Sequence, residues 1–492
     1  MTIGIDLGTS ALKLLLMDDA GSVLRTITEE YPISYPKPGW SEQNPSDWWD
    51  AVVRGMPKLL EGYDASDVAA IGCAGQMHGL VALDDADTVL RPAILWNDGR
   101  TGKEVEYLNT TIGRDTLGEL TGNIAFAGFT APKILWMREN EPELFERIAR
   151  LMLPKDYIVY RLTGVHATDF SDASGTLLLD VANRRWSDRM CEICGVREDQ
   201  LPKLYESWEV VGTLLPDAAR ALGLPEETLV CAGAGDNAAA AVGTGTVGDG
   251  QCNISIGSSG TIFISCDRFP DDPTHALHAF AHADGGWHLM GCMLSAAACN
   301  RWWEEDILGT RSYADEQAEI TEDALGRNDA FFLPYLMGER SPINDTDARG
   351  TFTGLRLDTS RADMLQAVLE GVAFAIRDSL EVARGLGTDV ARSNICGGGS
   401  QSALWKTIIS NVLGISLDST ETEQGPGYGA AILAMVAAGR YPTVREAANA
   451  LVRRTRSVDP DPEISSRYED RYDRFRRIYP AMKDLFRTLN ET

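Results

Sequence analysis

The sequence predicts an α/β protein built as two lobes around a cleft, and three observations carry that reading. At 492 residues the chain exceeds what one hydrophobic core usually serves, so two units of ordinary size are expected. Segments of strand character alternate with segments of helical periodicity, the pattern of sheets covered by helices. The opening stretch GIDLGTSALKLLLMDDAG, residues 4–21, is echoed by NISIGSSGTIFISCD, residues 253–267, so each half starts on the same device: apolar strand, glycine with two hydroxyl residues, apolar strand, acidic end.

The elements follow in order. IGIDLG, ALKLLLMD and SVLRTITEEY, separated by Gly-Thr-Ser and Asp-Asp-Ala-Gly turn signals, predict a meander of antiparallel strands. PSDWWDAVVRGMPKLLEG carries apolar residues at helical spacing behind Ser46 as its cap, and DVAAIGCAGQMHGLVALD returns to strand. The Gly-rich run AVGTGTVGDG, residues 241–250, marks the boundary before the echo. Laying Leu7-Gly8-Thr9-Ser10 over Ile256-Gly257-Ser258-Ser259 sets Asp6 on Ser255 and Lys13 on Ile262, so the second copy keeps the turn and loses both charges. RADMLQAVLEGVAFAIRDSLEVARGLG predicts a long buried helix, then come a strand ending in ICGGGSQSALW, a helix KTIISNVLG and the Ala-rich helix GPGYGAAILAMVAAG. The charged, Tyr-rich stretch from Arg453 onward predicts a peripheral helix.

Charge and cysteines bound the function. The net charge of −27, from 45 Lys plus Arg against 72 Asp plus Glu, repels a nucleic-acid backbone or an anionic membrane, and the basic patches at Arg453-Arg454 and Arg474–Arg477 are short. Nine cysteines with one Cys191-x-x-Cys194 pair and no second pair fit free thiols rather than a four-ligand zinc site. No signal-peptide pattern and no run of 18 apolar residues occurs, and a cytoplasmic location is expected.

Three glycine turns, DLGTS, SIGSSG and CGGGSQS, place backbone N–H groups and hydroxyls where phosphate oxygens can be cradled. No Gly-x-x-x-x-Gly-Lys-Ser/Thr loop and no Gly-x-Gly-x-x-Gly fingerprint is present. Asp6 either stabilises its own turn or, beside phosphates, needs an intervening cation such as Mg²⁺, with Lys13 adding positive charge. Asp236, in AGAGDNAAAA, is either a helix N-cap or a carboxylate with space around it that takes a proton from an attacking hydroxyl. Gln76, His78, Asn97 and Asp98 end two strands in the mixed donors and acceptors that a polyhydroxylated molecule requires, although His78 also reads as a packed histidine. His275, His278 and His282 in HALHAFAH read as strand residues pointing apart rather than as a metal site.

These residues resemble those of the FGGY carbohydrate kinases over essentially the full length. DLGTS with Lys13, SIGSSGT and CGGGSQS resemble the family's phosphate and adenosine turns, while GFTAPKILWMREN, residues 128–140, and GTFTGLRLDTSRADMLQAVLE, residues 350–370, resemble its two signatures. AGQMHG, AILWNDGR, LPKDY, SDASGTLLLDV and AGAGDNAA resemble segments of the members that act on D-xylulose, whereas a member acting on glycerol would carry Arg-Glu in place of Met77-His78. The resemblance implies an actin/hexokinase-like, ribonuclease H-like ATPase fold, each lobe a mixed five-stranded sheet flanked by helices. It implies a sugar lobe at 1–246, a nucleotide lobe at 247–452 and a helical extension at 453–492. Asp236 is then the catalytic base, and Asp6 and Asp236 the Mg²⁺-associated carboxylates. Gln76, Met77, His78, Asn97, Asp98, Asp236 and Asn237 would contact sugar, and Thr9, Ser10, Lys13, Gly257, Ser258, Ser259, Gly398, Gly399 and Ser402 would contact ATP. The implied activity is transfer of a phosphoryl group from ATP to D-xylulose in pentose catabolism, with a homodimer as a possible assembly. Another ketose, polyol or sugar acid as substrate, such as L-ribulose or gluconate, and a chaperone-like ATPase stand as alternatives.

Overall fold

The computed structural model describes residues 1–310, 312–421 and 424–490. Two seven-stranded sheets organise it. In the first, Val23–Glu30, Ala11–Met17 and Thr2–Leu7 form the antiparallel meander, and Ala70–Gly75 and Leu229–Cys231 continue it in parallel. In the second, Trp287–Met293, Gly260–Cys266 and Cys252–Ile256 are antiparallel, and Arg392–Cys396 and Ser416–Thr420 continue in parallel. The five-strand pattern is therefore duplicated, but each sheet exceeds it. Val210–Thr213 and Ala234–Gly235 are added to the first sheet, and His278–Ala281 and Arg454–Val458 to the second.

The echo is a true repeat of the hairpin, with one refinement of register. Asp6 stands opposite Lys13 across the first hairpin, whereas Ser255 stands opposite Thr261 across the second. The second connection is one residue tighter, so the counterpart of Lys13 is Thr261 and not Ile262.

Both faces of the opening strand are buried, which its composition makes possible. Ile3, Ile5 and Leu7 turn to one side and pack with the helix Pro45–Leu60, in the core that also takes Trp48, Val52 and Leu59. Gly4 turns to the other, where a Cβ would lie 1.9 Å from the Gly427 carbonyl oxygen; at Gly72 it would lie 2.1 Å from that of Ala430. Only glycine permits this approach, and the helix Gly425–Ala437 settles there against Leu15, Met17 and Ala74. That helix, assigned by sequence to the nucleotide lobe, thus covers the sheet of the first lobe.

Two local readings are corrected. The helix at Pro45 is capped by Asn44, whose side chain accepts from the Ser46 N–H; Pro45, with its fixed φ and missing N–H, is suited to the first helical turn and moves the cap ahead of Ser46. The C-terminal stretch is not solely a peripheral helical extension. It begins with the edge strand Arg454–Val458, and in the following helix Pro462–Phe475 the residues Tyr468, Tyr472 and Phe475 enter the second lobe's core around Phe374. Arg471 reaches the buried Glu370 at 2.6 Å, a pair that closes this contact without leaving either charge alone. A final helix spans Ile478–Asn490.

Candidate active site

Gln76, Met77 and His78 follow directly from the strand Ala70–Gly75, and Asp236 follows the parallel strand Ala234–Gly235 beside it. Ligands of open α/β sheets collect at such carboxyl ends. There a cleft of about 420 Å³ is lined by Met77, His78, Asp236 and Asn237 from the first lobe and by Ser259, Thr261, His278 and Arg340 from the second.

His78 is held in the left-handed region at φ 70°, an uncommon state for a residue with a side chain. Its carbonyl accepts from Thr130 Oγ1 at 3.1 Å and from the buried Lys133 Nζ at 2.7 Å, which fixes the turn. Its Nδ1 lies 2.8 Å from the Gly175 carbonyl, and a carbonyl only accepts, so Nδ1 carries the proton and Nε2 keeps its lone pair. The ring lies against Phe129 at 4.8 Å between centroids. Burial, then the Lys133 ammonium, push its pKa down to about 3, so the imidazole is neutral. The packed reading and the ligand reading of His78 are therefore compatible: one nitrogen is spent on the fold and the other is not.

Asp236 opens the helix Asp236–Gly243 but is not its N-cap, a position held by Gly235. Its Oδ1 accepts from the Asn237 N–H at 2.7 Å, and Asn237 Nδ2 approaches Met77 Sδ at 3.8 Å. Burial, then the negative charge of Asp6, push its pKa up to about 7. Asp6, near the end of the opening strand, is raised to about 6 by burial, against the opposing pull of Lys13. The loop after Asp6 is closed by its own backbone, the Gly8 N–H on the Ala11 carbonyl at 3.1 Å.

A second cavity, of about 670 Å³, lies wholly in the second lobe against Ser258, Asn300, Gln317, Gly398, Gly399 and Ser402. One turn touches both cavities: Ser258 borders the larger one and Ser259 the cleft. The Gly257 and Ser258 carbonyls accept from the N–H groups of Ala296, Ala297 and Ala298, which anchors the turn, while among the described residues its own N–H groups at 257–259 are not taken by other backbone. N–H groups left open by the backbone are one requirement of an anion cradle.

Several expected residues stand elsewhere. Asp98 is spent, accepting from Ser41 N–H at 2.6 Å and from Arg100 Nε and its terminal nitrogen at 2.8 and 2.7 Å, in a cluster completed by Glu42 and the Trp40 ring. Asn97 is exposed, and neither it nor Gln76 lines the cleft; Gln76 Nε2 donates to Gln43 Oε1 at 2.9 Å. Thr9, Ser10 and Lys13 lie on the first hairpin outside both cavities, with Thr9 Oγ1 accepting from Trp96 Nε1 at 2.9 Å. Gly257 anchors its turn by its carbonyl. Ser402 Oγ is committed twice, accepting from the Trp405 N–H at 3.0 Å and donating to Gln317 Oε1 at 2.6 Å, so it builds the wall of the larger cavity rather than offering a free hydroxyl. Conversely, sequence reasoning missed Trp96, Phe129, Arg340 and Thr261 in the cleft and Asn300 and Gln317 in the larger cavity. His278, read only as a strand residue, faces the cleft, while His282 Nε2 lies 2.8 Å from the Thr246 carbonyl.

Comparison with known proteins adds the lineage. The N-terminal domain of the FGGY family of carbohydrate kinases matches residues 1–243, and its C-terminal domain matches residues 252–438. The chain is 42% identical to the xylulose kinase of Escherichia coli (strain K12) over 99% of this chain and 100% of that protein. Among solved structures it is similar to a xyloylose kinase from Brucella ovis, with 39% identity, a TM-score of 0.93 and coverage of 98% and 99% of the two chains. It is also similar to a gluconate kinase from Lactobacillus acidophilus, with 26% identity, a TM-score of 0.94 and coverage of 99% of both.

Proposed function

The chain belongs to the FGGY family of carbohydrate kinases, and from that premise we propose that it transfers the γ-phosphoryl group of ATP to the terminal O5 hydroxyl of D-xylulose. The observation that carries the reading is the shared turn: Gly257–Ser259 separates a sugar-sized cleft holding Asp236 from a nucleotide-sized cavity, so a phosphate seated on it faces both. The identities of 42% and 39% to a xylulose kinase and a xyloylose kinase favour D-xylulose over gluconate, whose kinase relative stands at 26%.

In this reading the sugar lies against Met77 and His78, with the unprotonated Nε2 of His78 accepting from a sugar hydroxyl and Asn237 and Arg340 donating to sugar oxygens. Asp236 takes the proton of O5 as that oxygen forms its bond to the γ-phosphorus; the bond from phosphorus to the β,γ-bridging oxygen breaks and ADP leaves. Burial, with the nearby negative charge of Asp6, makes this carboxylate a stronger proton acceptor than an ordinary aspartate, which suits the task. The backbone N–H groups of the second turn stabilise the charge of the phosphoryl oxygens.

The carboxylates of Asp6 and Asp236 fit a Mg²⁺ ion. They are hard oxygen donors, and both are buried with their pKa values raised, which suits an ion that takes one or two carboxylates with phosphate oxygens and water. When bound with ATP the ion neutralises phosphate charge and orients the γ-phosphoryl group. We place the reaction in the cytoplasm; nine free cysteines support this, and among the described residues no helix is long and apolar enough to cross a membrane.

The test is coupled ADP release with Mg-ATP and a panel of ketoses, polyols and sugar acids. Preference for D-xylulose is expected; preference for another sugar moves the substrate, and sugar-independent hydrolysis overturns the reading.

A further inference from the structure

Beneath the two strand ends of the cleft lies a fully buried charge cluster that the phosphoryl-transfer reading does not use. Lys155, Asp156, Asp169 and Asp172 are each 0% exposed. Lys155 Nζ lies 2.7 Å from Asp156 Oδ1 and 3.1 Å from Asp169 Oδ1, and it donates to the Ala232 carbonyl at 3.2 Å. Burying these groups is costly in free energy, so the question is what the arrangement holds in place.

The geometry points to Asp236. Asp169 caps the short helix Phe170–Ser174, accepting from the Ser171 N–H at 2.9 Å and from the Ser171 hydroxyl. That hydroxyl, its proton already given to Asp169, accepts from the Gly235 N–H at 3.1 Å, one residue before Asp236. The turn that delivers Asp236 is thus tied at both ends to one cluster: Ala232 by Lys155, and Gly235 by Ser171. The same short helix reaches the other side of the cleft. Gly175, its C-cap, offers the carbonyl that fixes His78, and Ser174 Oγ accepts from Ala281 N–H at 3.0 Å on the strand that carries His278. Lys155 also packs under the strand leading to His78, since a Cβ on Gly75 would lie 2.9 Å from the Lys155 Cβ.

We infer that Ser171, held by the buried Asp169–Lys155 pair, is a positioning residue that sets Asp236 relative to His78 and hence to the acceptor hydroxyl. This rests on the kinase reading above. Misplacing a reacting group by about 1 Å can cost about 100-fold in the chemical step, so a residue that holds one in place acts on kcat.

Ser171→Ala is compared with Ser207→Ala, which removes the other hydroxyl that Asp169 accepts, at 2.8 Å, and leaves in place the main-chain bond from the Gly233 N–H to the Ser207 carbonyl at 2.9 Å. On whichever sugar the wild-type protein phosphorylates, Ser171→Ala is expected to lower kcat by about 10-fold or more with KM for ATP within twofold, while Ser207→Ala keeps kcat within about twofold. Amide hydrogen exchange without substrate supplies a second readout: protection of the segment around 233–237 falls in Ser171→Ala and holds in Ser207→Ala. Equal loss of kcat in both variants, a kcat for Ser171→Ala within twofold of wild type, or unchanged exchange at 233–237 overturns the inference. Wild-type turnover on the sugar panel judges the kinase reading separately, and the exchange experiment stands whatever its outcome.

Discussion

The two hairpins that open the lobes share strand order and direction, yet the second turn is one residue tighter and one cross-strand pair loses its charges. In the first, Asp6 faces Lys13; in the second, Ser255 faces Thr261. The second turn keeps its amides and hydroxyls and can hold phosphate by dipoles alone. The first carries the buried Asp6, whose negative charge adds to the burial that raises the pKa of Asp236. The two backbones are alike, and the charged pair is what sets the first apart.

The comparison can be broken at its acidic end. Asp236→Asn removes the carboxylate we propose as proton acceptor and is expected to lower kcat by about 10³-fold with ATP affinity within twofold, read by steady-state kinetics and calorimetry. Asp6→Ser makes the first hairpin resemble the second and is expected to lower kcat by about 10²-fold, less than the loss of the base because Asp6 acts through charge. If Asp6→Ser matches wild type, the charged pair has no part in the reaction. The converse exchange, Ser255→Asp, brings a carboxylate to the phosphate turn and should raise KM for ATP by about 10-fold, about 1.4 kcal/mol of repulsion; an unchanged KM would mean that phosphates do not sit there.

The smallest effect is on stability. Folded Asp6 and Asp236 keep their protons up to about pH 6 and 7, whereas the unfolded chain releases them near the ordinary carboxylate value. The folded state therefore binds more protons across that window, and their contribution to ligand-free stability declines as pH rises from 4 to 7. Asp236→Asn should show a Tm about 1–2 °C above wild type at pH 8, with the gap closing toward pH 4; a Tm lower at pH 8 than at pH 4 relative to wild type would contradict the raised pKa.

What the sequence revealed follows the same division between backbone and side chain. The hairpins, the long helix Arg361–Gly385 and the small residues around Asp236 were legible because glycine, hydroxyl residues and periodicity report local backbone needs. The capture of Asp98 by Arg100 was not, although the two are neighbours in sequence, because a strand-end carboxylate looks the same whether it meets sugar or guanidinium. Nor could residue types reveal that Arg340 crosses from the second lobe to the cleft, or that Ser402 is committed to Gln317, since both depend on distant segments meeting. Arg454–Val458 was misread because its exposed, charged residues suit an edge strand and a surface helix equally.

The helix Gly425–Ala437 has a consequence for where this chain can be divided. A polypeptide ending at residue 246 would present the groove at Gly4 and Gly72 to water, with Leu15 and Met17 stripped of the cover that arrives nearly two hundred residues later. The second lobe alone would carry the same helix with its apolar face unopposed. The lobes are thus separable in topology but not in solubility: a gene split at the visible boundary would encode two halves that need each other's surface before either meets a substrate.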